Sequence, residues 1–403
     1  MPVGLPIYRK SALIIVYHNR LETSLTLNFD LIQVTGENNM AKKIRLGFVG
    51  ANINSTWASQ SHFPAIMASP DVEMTAVCTS RAESAEEARQ TFGAKFAFHD
   101  FNEMVSCSEI DAVAVVVRVP SHYEPTKAAI NAGKHVYTEW PLGRTTSEAA
   151  ELANLANSKG VHTVVGLQSR VSPALLYVKE LISENYLGEV LSCHVTTMRD
   201  GALERPSSRT WQRDANMGAN TLTIATGHVI DALRFVLGNF EKAACMITTQ
   251  VPQLYETDTQ QFVEVTSPDN IRVSGTLSRG AAASVHVGAV PWAGSGFRME
   301  IYGREGTLVV TGSVSSQRGE MLRIQGAQKK QELEDLEIPQ RFIYVPEDFP
   351  DGDPFNVGQM YALFSKAIQT GDNALPTFDT AVDLHKFLDK LTLASTTGKE
   401  QSI

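Results

Sequence analysis

The chain has 403 residues, 43% of them hydrophobic and 20% charged, enough to bury one large core or two of medium size. A formal net charge of -9, with no Lys/Arg cluster to offset it, excludes a surface built to neutralise phosphates, so no nucleic-acid partner is expected. The four cysteines, Cys78, Cys107, Cys193 and Cys245, form no CxxC pair and mostly lie in apolar runs. They read as small buried hydrophobes of a reducing, cytoplasmic compartment, and no metal is expected.

Residues 1–39 differ in kind from the rest of the chain. SALIIVYHN is too short an apolar run to span a bilayer, and no small-residue cleavage site comes after it, although Arg9 and Lys10 precede it. An added leader, a weak targeting segment and an upstream start all fit, because Met40 followed by AKKIRLGFVG has the look of a natural beginning. The segment is expected to be a disordered or non-native leader, and no membrane partner is expected.

From Ile44 the pattern is regular. IRLGFVG is an apolar strand ending in glycine, ANINST a turn, and WASQSHFPAIMAS has the spacing of a helix. EMTAVCTS is a second strand, AESAEEARQTFG a helix closed by glycine, and IDAVAVVVRVP a third strand. HYEPTKAAINAG and TSEAAELANLANSKG are helices on either side of the strand KHVYTEWP, and VHTVVGLQSR closes the series. Continuous apolar strands alternating with amphipathic helices predict a parallel sheet covered on both faces. This order is the doubly wound dinucleotide-binding arrangement, expected over residues 40–165, and its ligands sit at the carboxyl ends of the strands.

Those ends name the candidate cofactor residues. In GANINSTW only Gly50 is a glycine, so the GxGxxG fingerprint is absent. The stretch is either an ordinary polar turn or a phosphate site, in which N–H groups at the helix start near Trp57 are joined by Asn52, Asn54, Ser55 and Thr56. CTSR ends the second strand without the carboxylate that usually accepts ribose hydroxyls, whereas Ser80 and Arg81 suit a 2'-phosphate. NADP is therefore expected, with NAD left open.

The second half reads differently. YVKELISENYLGEVLSCHVTTMR is a helix followed by a strand, and QQFVEVTS, IRVSGTLS, AAASVHVG and FRMEIYGREGTLVVTG are alternating strands between polar and glycine turns. They predict an open, mostly antiparallel sheet in an α+β domain over residues 166–350. MGANTLTIATGHVIDALRFVLG is helical in its later part. Residues 351–403 hold two helices, NVGQMYALFSKAIQ and TAVDLHKFLDKLTLAS, expected to pack back on the first domain. The fold class is thus α/β, an N-terminal Rossmann doubly wound parallel sheet followed by an α+β domain.

Together, LGFVG, VPSHYEPTKAAINAGKHVYTEWPLG, VVGLQSRVSPALLYVKELI, GHVIDALRFVLG and MEIYGREGTLVVTG resemble the glucose-fructose oxidoreductase and inositol dehydrogenase (Gfo/Idh/MocA) family from Ile44 to about Ser395. The resemblance implies a glutamate-lysine-proline turn whose lysine assists proton transfer; here Glu139 and Pro141 flank Trp140, and an indole neither accepts nor releases a proton near neutral pH. It also implies an aspartate four residues before a histidine. His228 matches the histidine, and Ile224 stands at the aspartate position. His228 is then the candidate acid or base, Trp140 shapes the pocket, and Asp231 either orients His228 from the same helix face or is a surface carboxylate. Arg118, beside the expected nicotinamide, and His122 are candidates for an anionic or carbonyl group. Glu139 and Gln168 are placed on the cofactor side. Arg170 is a candidate for the substrate or for tying the domain junction.

The glycine-poor first loop, HFPAI, EW, LQSRVSP and GH without its aspartate resemble a subgroup of the family that includes the galactose-pathway repressor. Two functions are implied as expectations. One is an NAD(P)-dependent oxidoreductase acting on a sugar-like or other small hydroxyl or carbonyl compound. The other is a catalytically weak dinucleotide-binding regulator that holds a protein partner. Either is expected as a homodimer or homotetramer, on the argument that an open sheet with an apolar face needs covering.

Overall fold

A computed structural model describes residues 42–403, apart from 55, 56, 314, 316–321 and 374. The leader 1–39 and the candidates Ser55 and Thr56 lie outside the described residues.

Strands β1 (Ile44–Val49), β2 (Val72–Cys78), β3 (Phe96–Phe98), β4 (Ala112–Val115), β5 (His135–Glu139) and β6 (Thr163–Gly166) form one parallel sheet in the order β3-β2-β1-β4-β5-β6. The strand order reverses between β1 and β4, where dinucleotide-binding sheets open their crevice. The β4 residues are wholly buried, which is why its sequence shows no alternation. Strand β3 was not expected: three half-buried residues are too few to display a period. Gly50 leaves β1 with φ 97°, and a Cβ there would come 2.2 Å from the Val116 carbonyl oxygen, so glycine alone fits against the end of β4.

Helices α1 (Phe63–Ala68), α2 (Ala82–Phe92), α3 (Phe101–Val105), α4 (Tyr123–Asn131) and α5 (Thr146–Lys159) connect these strands. Helix α5 shows the local logic: the Thr145 hydroxyl accepts the Glu148 N–H at its start, and Gly160 in the left-handed region ends it. Helix α1 is preceded by a wide helical turn over Ala58–His62, which carries His62 into the interior.

Beyond β6 come α6 (Pro173–Ser183), β7 (Val190–Arg199), β8 (Glu204–Arg205), α7 (Gly227–Leu237), β9 (Phe240–Thr248), β10 (Gln253–Glu256) and β11 (Gln261–Glu264). After them come β12 (Asn270–Leu277), β13 (Ala282–Ala289), β14 (Gly296–Gly303), β15 (Gly306–Gly312), β16 (Arg323–Gln328), β17 (Glu334–Asp335), α8 (Asp353–Thr370), α9 (Phe378–Thr397) and β18 (Gln401–Ser402). A nine-stranded sheet runs β17-β16-β15-β14-β7-β13-β12-β9-β18, antiparallel except where β7 and β13 run side by side. QQFVEVTS does not join it; β11 pairs with β10, and β10 with β8, in a separate three-stranded sheet.

One face of the large sheet buries Cys193, Val195, Val285, Val287, Met299 and Ile301, with α6, α7 and α9 packed near it. The other face is polar rather than apolar. His194 bonds Ser284 across β7 and β13, and Arg272, Ser274, Arg298 and Glu300 share that face. The expectation of an apolar open face is therefore corrected. Helix α8 packs on α1 and the turn before it, whereas α9 packs on α5, β6 and β9 and so joins both sheets.

Candidate functional site

The end of β5 carries a buried polar chain. His62 Nε2 lies 3.0 Å from Glu139 Oε1, and His62 Nδ1 lies 2.8 Å from the Tyr361 hydroxyl. Tyr137 donates to Glu139 at 3.1 Å, and the Gln168 amide donates to both carboxylate oxygens at 2.9 and 3.1 Å. Burial by itself drives the Glu139 carboxyl upward. The hydrogen bond and attraction of the His62 ring, with Gln168 and the more distant His228, outweigh it and hold the group below the usual carboxylate range. Burial first, then the neighbouring carboxylate, raise the Tyr137 and Tyr361 hydroxyls well above their ordinary values, so both stay protonated. Gln168 is fully buried against Glu139 and supports that carboxylate from within. Sequence reading missed His62, Tyr137 and Tyr361; only HFPAI drew attention to the first.

Trp140 is next along the chain, 4% exposed. Its indole N–H donates to the Thr223 carbonyl at 2.8 Å, so its single donor is already used. A Cβ on Gly227 would sit 2.6 Å from that nitrogen, and the His385 ring of α9 packs on the indole at a centroid distance of 4.7 Å. The indole therefore joins β5, the turn entering α7 and α9.

His228 is the second residue of α7 and is 5% exposed. Its Nδ1 has no hydrogen-bond partner among the described residues. Burial holds the imidazole down at about 4, with Glu139 opposing and Arg199 adding to the depression, so the ring is neutral near pH 7. Asp231 neither orients His228 nor lies at the surface. It is buried, and Arg170 grips it through Nε at 3.0 Å and Nη2 at 2.7 Å while the guanidinium stands over Phe235. That pair ties the turn after β6 to α7.

The remaining candidates divide. His122 is buried, with Nδ1 2.8 Å from the Pro141 carbonyl and Nε2 3.0 Å from the Val117 carbonyl. Both ring nitrogens face main chain, so His122 braces the loop and is not offered to a ligand. Arg118 is exposed at the end of β4; its guanidinium reaches the Ser208 carbonyl at 3.2 Å and stands over the Trp211 ring at 5.4 Å. Residues 207–213 thereby cross from the second half onto the end of β4, beside an open hollow of about 480 Å³ lined by Trp211, Arg213, Asn216 and Glu264. Asn52 forms a local turn by accepting the Asn54 N–H, and Trp57 precedes the helical turn that delivers His62. Ser80 and Arg81 are exposed at the start of α2.

A dinucleotide fits this edge by the chemistry of its donor set. Exposed Asn52, Ser80 and Arg81 lie along the β1 and β2 ends, and the ionised Glu139 lies at the end of β5. Bound there, the group would supply hydride chemistry.

Comparison with known proteins agrees with this geometry. Residues 44–167 match the model of the oxidoreductase family with an NAD-binding Rossmann fold, and residues 173–312 match that of the Gal80p C-terminal domain. Dehydrogenase aclE of Aspergillus oryzae is 34% identical over 250 residues, 59% of this chain and 68% of its own length. The chain belongs to the Gfo/Idh/MocA oxidoreductase family.

Within the Gfo/Idh/MocA family it is also 30% identical to the galactose/lactose metabolism regulatory protein GAL80 of Saccharomyces cerevisiae over 257 residues, 60% of this chain and 59% of that protein. A crystal structure of a super-repressor mutant of that yeast Gal80p superposes with a TM-score of 0.80 at 24% identity, covering 90% of this chain and 98% of Gal80p. Levoglucosan dehydrogenase in complex with NADH and L-sorbose gives 0.78 at 21% identity, covering 90% and 99%. At these identities the structural likeness shows the fold. Among the described residues, no helix is long and apolar enough to cross a membrane.

Proposed function

We propose that the chain is an NAD(P)-dependent oxidoreductase that moves a hydride between the nicotinamide and a sugar-like or other small hydroxyl or carbonyl compound. The observation that carries the reading is His228, a buried neutral imidazole with an unpartnered Nδ1 on α7, within electrostatic reach of Glu139 at the end of β5. A neutral ring can share a hydrogen bond with a substrate hydroxyl and take its proton. Trp140 takes no part in proton transfer, because its donor is bound to Thr223 and an indole has no acidic proton to give. The proton passes through His228 or a water molecule. Exposed Ser80 and Arg81, in a CTSR turn that itself holds no carboxylate, support NADP over NAD. The division into a dinucleotide-binding part (40–165), a substrate part (166–350) and closing helices (351–403), a cytoplasmic setting, and a homodimer or homotetramer belong to the same reading.

A second reading is favoured by the match of residues 173–312 to the Gal80p C-terminal domain. It takes the chain as a dinucleotide-binding regulator that holds a protein partner. Replacing both the lysine and the aspartate removes acid-base assistance commonly worth about a hundredfold to ten-thousandfold. Positioning by the cofactor survives that loss.

One experiment separates the two. The purified protein is titrated with NADPH, NADP, NADH and NAD, then offered a panel of sugars, sugar acids and small ketones while reduced nicotinamide fluorescence is monitored. The enzyme reading expects turnover on a member of the panel. Tight dinucleotide binding with no turnover, together with recovery of a stoichiometric protein partner, replaces it with the regulator reading.

A further inference from the structure

Reducing a nicotinamide by hydride removes the positive charge of its ring. A fixed protein charge near the ring therefore separates the two redox forms by affinity. The sheet offers one such charge in an unusual setting. Strands β4, β5 and β6 form the half beyond the strand-order reversal, which takes the second mononucleotide of a bound dinucleotide, and Glu139 ends the middle strand of that half.

We propose that Glu139 is kept as a buried anion by the Tyr361–His62 chain and Gln168, and that its charge biases the bound dinucleotide toward the oxidised, cationic nicotinamide. This rests on the dinucleotide reading above.

The hydrogen bonds assign the protons. In this scheme Tyr361, a hydroxyl on α8, donates to His62 Nδ1, and the Nε2–H of the ring donates to Glu139. Tyr137 and Gln168 each donate as well, so every contact the carboxylate makes comes from a donor. Three donor residues, from the turn before α1, β5 and the turn after β6, surround one carboxylate that is 7% exposed, and Tyr361 of α8 stands behind the first of them. Such a group is costly as structure alone, since a buried ion is stabilising only when compensated. Here the compensation comes from hydrogen-bond donors, two of them the uncharged Tyr137 and Gln168, and the negative charge stays available to act on a neighbour. His62 and Tyr361 are positioning residues in this scheme: Tyr361 selects the His62 tautomer that faces Glu139.

The test is the ratio of dissociation constants for oxidised and reduced forms of whichever dinucleotide binds, measured by calorimetry on the full chain and on two variants. In Glu139→Gln the preference for the oxidised form should fall by about tenfold, because an amide keeps the shape and loses the charge. Tyr361→Phe, which removes one hydroxyl, serves if the first variant does not fold. It frees the His62 tautomer, so its ratio should fall less and should recover as pH rises and Glu139 ionises fully; the wild-type ratio stays level. The titratable groups facing that carboxylate are His62, Tyr137 and Tyr361, with His228 and His122 within electrostatic reach. Both forms binding to Glu139→Gln with the wild-type ratio, or a Tyr361→Phe ratio that matches wild type at every pH, overturns the inference and leaves the proposed function standing. Failure of wild-type protein to bind either form overturns both.

Discussion

His385, whose ring packs on the Trp140 indole, and His228, which follows the glycine against that indole, are both buried, and each has a ring nitrogen without a partner among the described residues. Burial holds both at about 4, whereas an unfolded histidine titrates near 6.5. Above pH 6.5 both states are neutral and the pair adds no pH dependence. As pH falls from 6.5 toward 4 the unfolded chain takes up protons that the folded chain refuses, so stability drops, by up to about 3 kcal/mol per histidine. Urea midpoints should therefore decline between pH 6.5 and 4.5, and less steeply in His385→Leu; equal slopes in the two proteins would remove His385 as a source of the decline. His228→Ala should lower turnover about a hundredfold with dinucleotide affinity nearly unchanged, read from steady-state kinetics and calorimetry. Unchanged turnover removes His228 from the chemistry. The sequence pointed to His228 through the family resemblance, which implies a histidine at that position. It left open that Asp231 serves Arg170, since the choice between two neighbours three residues apart depends on what lies opposite.

Two contacts between elements decide how the halves meet. Gly227 admits the Trp140 indole, and adding a methyl there should cost about 1–3 kcal/mol by pushing the ring off the Thr223 carbonyl. Denaturation of Gly227→Ala in wild-type and Trp140→Leu backgrounds checks this: the cost should shrink when the indole is gone, and additive costs would show that the two residues are uncoupled. Arg118 latches residues 207–213 to the end of β4 through Ser208 and Trp211, across the side on which a dinucleotide enters. Arg118→Ala should speed dinucleotide release by about tenfold in stopped-flow fluorescence, as expected for losing one charged hydrogen bond and one cation–π contact. An unchanged rate would mean the strap does not gate the crevice. At this scale the element types were readable, because helical spacing, glycine caps and apolar runs are local. Strand β3, the separate hairpin of β10 and β11, and the wide turn before α1 were not, since short segments carry no period.

For the whole molecule, the large sheet keeps one broad face away from its helices. That face carries His194, Ser284, Arg272 and Arg298, so association through it would use polar pairing across β-strands rather than apolar burial. A homodimer or homotetramer should appear by light scattering at micromolar concentration and weaken with added salt; a monomer at that concentration would refute the proposal. The loss of the lysine and the aspartate was legible only through the family resemblance, whereas the main alternation of strands and helices and the doubly wound class were determined by the sequence itself. Those features are written in residue type and short-range period, which need no knowledge of distant partners. Only the tertiary structure decided which polar groups are used up and which stay available. His62 meets a tyrosine 299 positions away, Trp140 donates its N–H to a carbonyl 83 positions away, and His122 turns both nitrogens to main chain. Burial and pairing are properties of the folded neighbourhood, and no local pattern encodes them.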